Sequence, residues 1–128
     1  MGLDMYAYKV KKGLIKEQVD FTLPESVEEG DVSRVHYWRK HPNLHGWMEE
    51  LYREKGGKSD DFNCDNVQLT EDYLIKLERD IKSKDLPETS GFFFGESSDD
   101  DNVDDLNFIT EAKQAIDEGY DVYYTSWW

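Results

Sequence analysis

Apolar positions along this chain recur at two periods, and each period predicts a different kind of element. Over residues 5–10, Met5 and Ala7 alternate with Tyr6, Tyr8 and Val10, the two-residue repeat of a strand. Residues 19–23 read as a second strand halted by Pro24, and the polar residues 25–34, with Gly30, as a loop. The spacing then changes. Leu44, Trp47, Met48, Leu51 and Tyr52 fall on one face of a helix that starts near Pro42 and ends at Gly56-Gly57. A polar loop over 58–66 and a short strand near 67–69 follow. Thr70 as N-cap then opens a helix from Glu71 to about Lys84, with Leu74, Leu77 and Ile81 as its stripe. A third helix is expected over 103–118, facing inward through Leu106, Ile109, Ala112 or Lys113, and Ile116. Gly119 caps it, and residues 120–126 form a last strand. With no internal repeat and no linker, residues 1–128 read as a single α+β domain: about three helices on a small, mostly antiparallel sheet.

Composition supports a packed core. Aromatics make up 14% of the 128 residues, too many for a disordered acidic chain. The 29 acidic and 15 basic side chains give a net charge of −14, which disfavours direct nucleic-acid binding and an anionic membrane surface. The charge is unevenly spread. Residues 1–58 carry 10 basic and 10 acidic groups, whereas residues 59–128 carry 5 and 19. No stretch approaches 18 apolar residues, the first residues match neither a signal peptide nor a myristoylation signal, and Cys64 stands alone. The expected location is the cytoplasm.

Candidate chemistry concentrates at residues 35–47. Tyr37, Trp38, Arg39, Lys40 and His45 supply ring faces and positive charge of the kind that holds a small, nucleotide-like anion. Ser90, Gly91 and Phe93, within the glycine-bracketed Ser90-Gly91-Phe92-Phe93-Phe94-Gly95 turn, are expected to form the wall of that site. Three successive Phe residues cannot all point one way on a strand, so at least one faces a groove or a partner. His41 and His45 have helical i, i+4 spacing, but Pro42 stands where a metalloprotease motif has glutamate, so no metal is expected. Neither a nucleophile elbow, a phosphate loop nor a calcium-binding loop is present, and no cofactor motif appears. With no complete catalytic constellation, the expectation is a non-enzymatic binder.

A rival expectation rests on the acidic run. Asp99, Asp100, Asp101, Asp104 and Asp105, together with Trp127 and Trp128, would form a face that imitates nucleic-acid phosphates or engages a host protein. A homodimer through the tryptophan end is a further expectation.

Four segments carry a family resemblance: Met1-Gly2-Leu3-Asp4-Met5-Tyr6; Tyr37-Trp38-Arg39-Lys40 with His45 and Trp47; the 90–95 turn; and Tyr123-Tyr124-Thr125-Ser126-Trp127-Trp128. The chain resembles a group of small bacteriophage and prophage proteins bearing these motifs from end to end, with His41-Pro42 as a departure. The resemblance implies an accessory phage protein in the bacterial cytoplasm. Such proteins often counter host defence, by inhibiting an enzyme or sequestering its nucleotide signal.

Overall fold

The computed structural model describes residues 2–22, 25, 27–91, 95–98 and 101–128. Four strands form one antiparallel sheet in the order β2-β1-β4-β3, from β1 (Asp4–Lys11), β2 (Val32–Arg39), β3 (Val67–Leu69) and β4 (Tyr120–Trp127). Three helices accompany it: α1 (Pro42–Glu54), α2 (Glu71–Lys82) and α3 (Asp101–Asp117). This is a single α+β domain.

Strand alternation gives the sheet two apolar faces. Met5, Ala7, Trp38, Val67, Leu69, Val122 and Tyr124 are buried with the apolar stripes of all three helices in the main core. On the other side Val10, Ile15 and Tyr123 form a smaller cluster with Tyr8, Leu14 and Phe21 packed on it. A bulge interrupts β2 beside β1. The β1–β2 register passes from Ala7↔His36 to Tyr8↔Arg34, so Val35 is the extra residue at that point.

The α1 stripe is as its spacing predicts, with Leu44, Trp47, Met48, Leu51 and Tyr52 all buried. Gly56 at φ +93° then turns the chain out of the helix, a conformation that side chains with a Cβ resist. Helix α2 buries Leu74, Leu77 and Ile81 as expected and ends at Lys82.

Three expectations need correction. Residues 25–34 are not all loop, because β2 begins at Val32 and pairs along β1. Val19 contributes an isolated bridge to Val67 in place of a strand, and Leu23 and Pro24 lie outside the described residues. Helix α3 starts at Asp101 and its inward face is shifted: Asp105, Phe108 and Ala115 are buried beside the expected Ile109 and Ala112, while Leu106 and Ile116 are only partly so. The shifted face takes in Asp105, an acidic side chain that the hydrophobic pattern assigns to solvent and that the fold holds in its interior.

Candidate functional site

The last residue of β2, Arg39, and the first of α1, Pro42, are separated by two residues, and that short link shapes the site. Lys40 takes a left-handed backbone (φ +56°), costly for a side chain bearing a Cβ, and its N–H is fixed to Leu3 O at 2.8 Å. His41 then occupies the N-cap position of α1 without a side-chain cap bond to its own helix. The cap comes from elsewhere in the chain: Asn43 N–H donates to Ser97 Oγ at 3.0 Å.

With its ring turned away from the helix end, His41 joins a buried polar chain. Its Nε2 lies 2.7 Å from Asp105 Oδ2, and its Nδ1 lies 2.7 Å from Ser97 Oγ. Trp38 Nε1–H donates to the other oxygen of the same carboxylate, Asp105 Oδ1, at 3.0 Å. Asp105 is 0% exposed and His41 2%, so these bonds replace water that neither group can reach. With Nε2 facing a carboxylate, the ring hydrogen is assigned to Nε2, which leaves Nδ1 to accept from the Ser97 hydroxyl. Asp101 Oδ2 stands 3.7 Å from Nδ1 and accepts the Ser98 N–H at 2.8 Å.

Two adjoining cavities open onto this chain. An inner pocket of about 130 Å³ is bounded by His41, Asn43, Lys84, Ser97, Ser98 and Asn102. An outer cleft of about 500 Å³ is bounded by Asn43, Thr89, Ser90, Gly95 and Ser97, with Glu88 and Glu96 on its rim. Asn43 and Ser97 are common to both walls. The segment over 86–91 is strapped to α1, since Asn43 Oδ1 accepts the Thr89 N–H at 3.0 Å. The seat for that strap is Gly46, where a Cβ would stand 1.9 Å from Thr89 Oγ1.

The residues singled out from the sequence separate in space. Lys40 packs beside Gly95, where an added Cβ would lie 3.0 Å from Lys40 Cβ, and exposed Ser90 lines the outer cleft. Gly91 is exposed next to Ser90, and Phe93 lies outside the described residues. Trp38 is 4% exposed and holds Asp105, so the expectation that it stacks on a ligand is corrected: alternation along β2 turns it inward and its neighbours Tyr37 and Arg39 outward. Tyr37 OH donates to Asp4 Oδ1 at 2.6 Å, and Arg39 Nε lies 3.9 Å from the same atom.

His45 is likewise interior, at 1% exposure, with Nδ1 2.7 Å from Tyr124 OH. Burial depresses the His45 pKa to about 4 and raises that of Tyr124 well above its ordinary value, so a phenol donates to a neutral imidazole.

The acidic run also divides. Asp105 is not a surface group and offers nothing to a partner. Asp104 Oδ2 pairs with His36 Nε2 at 2.9 Å, Asp101 belongs to the first turn of α3, and Asp99 and Asp100 lie outside the described residues. Trp127 is 66% exposed, whereas Trp128 is docked through Nε1–H to Phe62 O and a main-chain bond to Asn63 Oδ1.

Sequence reasoning missed the polar chain itself. Helical spacing relates His41 to His45 and the acidic run places Asp105 on a surface, and nothing in the spacing of His41 and Asp105, 64 residues apart, connects them. The one available signal is that a histidine beside a helix start and an aspartate at helical spacing from Ile109 and Ala112 both fall next to buried positions. Among the described residues, no His/Cys/Asp/Glu group suited to a metal ion occurs, and no helix is long and apolar enough to cross a membrane. No family model, curated protein or solved structure matches the chain.

Proposed function

We propose that the protein binds a small anion-bearing, nucleotide-like ligand in the paired cavities at the start of α1. The observation that carries this reading is that the first turns of α1 and α3 both reach the inner pocket, through Asn43 and Asn102, with Lys84 on the same wall. Helix starts carry the positive end of the helix dipole, which favours an anionic group there. The inner pocket, about 130 Å³, is of a size for one phosphate-like group. The outer cleft carries Glu88 and Glu96, acceptors suited to hydroxyl or amine donors on the remainder of the ligand. Lys40, in the position its constrained backbone gives it, stands near Gly95 at the cleft wall.

In the setting implied by the resemblance, a phage accessory protein in a bacterial cytoplasm, such a ligand would be a host nucleotide signal held away from its receptor.

Titration calorimetry with nucleoside phosphates, cyclic dinucleotides and inorganic phosphate tests the proposal. Binding is expected for at least one phosphate compound, weakened roughly tenfold or more by Lys84→Ala, the scale of one charge-assisted hydrogen bond. No heat across the whole panel overturns it.

A further inference from the structure

We propose that Ser97 is an activated nucleophile and that the cleft at the start of α1 hydrolyses small carboxylic esters by acyl transfer. Three side chains from three parts of the chain form a continuous hydrogen-bonded series. Ser97 Oγ lies 2.7 Å from His41 Nδ1, and His41 Nε2 lies 2.7 Å from Asp105 Oδ2. This is the arrangement in which a hydroxyl becomes nucleophilic: a base within hydrogen-bond reach, itself oriented by a buried carboxylate. The ring nitrogens are used in the opposite order to the serine-protease template, with Nδ1 toward the hydroxyl. The chemistry requires only that the nitrogen facing the hydroxyl be unprotonated.

Two observations distinguish this arrangement from a helix cap alone. A cap needs an oxygen that accepts a main-chain N–H, and Ser97 supplies that to Asn43 at 3.0 Å. It does not need the second bond from the same hydroxyl to a buried histidine, nor the carboxylate behind it. Asp105 is also held on its other oxygen by Trp38 Nε1–H at 3.0 Å, so its orientation, and through it that of the ring, is fixed from two directions. Access is the second observation. Ser97 is half-buried and bounds both cavities, His41 reaches only the wall of the inner pocket and Asp105 is fully buried, so the hydroxyl is the member most open to a small molecule.

The reaction balances within these groups and water. Ser97 Oγ attacks the ester carbonyl carbon as its proton passes to His41 Nδ1, and Asp105 stabilises the resulting imidazolium through Nε2–H. The Asn43 side-chain amide, on the wall of both cavities, is assigned the developing oxyanion. The bond to the leaving oxygen breaks, that oxygen takes the proton from Nδ1, and an acyl-Ser97 remains. Water then adds to the acyl carbon and gives a proton to Nδ1. The bond to Oγ breaks, Oγ recovers that proton, and a carboxylic acid departs.

The inference rests on the cleft of the proposed function admitting a small molecule, but not on that molecule being anionic. The test is covalent labelling of the full chain with a small alkyl fluorophosphonate, read by intact mass and peptide mapping, alongside hydrolysis of p-nitrophenyl acetate. One phosphonyl adduct per chain is expected on Ser97. It should be absent in Ser97→Ala, whose circular dichroism and melting curve verify the fold, and slowed about 100-fold or more in His41→Gln, the usual contribution of a positioned base.

The proposal is overturned by the absence of an adduct on the unaltered protein, or by an adduct that forms equally fast in folded His41→Gln. Phosphate binding with no adduct removes the nucleophile and leaves the binding reading intact. An adduct with no heat from any phosphate compound does the reverse.

Discussion

His41 and His45 stand four residues apart on the same helix, both buried, and the protein treats them in opposite ways. His41 sits at the helix start between a carboxylate and a hydroxyl, in a chain of polar atoms that reaches open cavities. His45 sits a turn deeper, among Phe62, Tyr124 and the aromatic core, with a phenol as its partner. The first is surrounded by groups that can take and return a proton. The second is held neutral by desolvation. Identical side chains on adjacent turns thus become a chemical element and a structural one, and the difference lies in the partners each meets, Ser97 and Asp105 for His41, Phe62 and Tyr124 for His45.

Removing Asp105 breaks that contrast most severely. Asp105→Ala leaves the Trp38 indole N–H and His41 Nε2 unpaired in the interior, and should cost about 3–5 kcal/mol by urea unfolding. A loss under about 1 kcal/mol would mean that the polar chain is not closed to water.

The other half of the contrast is tested by pH. Unfolded, His45 takes a proton near its ordinary 6.5; folded, only near pH 4. Between these values the unfolded state binds more protons, so stability is fully present above about pH 6.5 and falls as the pH drops toward 4. The displacement corresponds to roughly 3 kcal/mol. His45→Gln, whose amide oxygen can accept from Tyr124, should flatten that part of the stability profile. An unchanged slope in the variant would assign it to other groups.

A smaller effect is expected where the strap meets α1. Gly46→Ala places a methyl against Thr89 and should cost about 1–3 kcal/mol by overpacking or by lifting the strap. Hydrogen exchange at the Thr89 amide separates the two outcomes, because only lifting releases its bond to Asn43. Least of all should come from Asp104→Ala. Asp104 is 53% exposed, so its pair with His36 should be worth under about 1 kcal/mol in the same urea assay.

The elements that sequence reasoning recovers are those whose apolar positions keep one period over a full face, such as α1 and α2. At α3 it recovers the helix and the inward Ile109 and Ala112 but not the rest of the buried face, which includes an aspartate, and hydrophobicity cannot anticipate a polar side chain whose partners lie far away in the chain. It misses β2 because the strand's exposed residues, Ser33 and Arg34, resemble a loop until β1 is beside them. Residue type points to Lys40, Ser90, Trp38 and His45 alike, but the fold leaves the first two exposed and buries the other two. The charge division also changes meaning. The acidic run and the histidine-rich segment appear as rival surfaces in the sequence, yet Asp104 and Asp105 fold onto His36 and His41.

The sheet order has a consequence in time. The central seam joins β1 to β4 along its length, from Asp4↔Trp127 to Lys11↔Tyr120, so its strands come from opposite ends of this chain. On a ribosome, β1 and β2 can meet early, but the other edge of β1 stays open until residues 120–127 have emerged. The pairings of β1 and of β3 with β4 must wait on that late arrival, and closing so long a loop is slow. Until then Met5 and Ala7 flank an unpaired backbone edge, the period in which the nascent chain is most exposed to unwanted pairing.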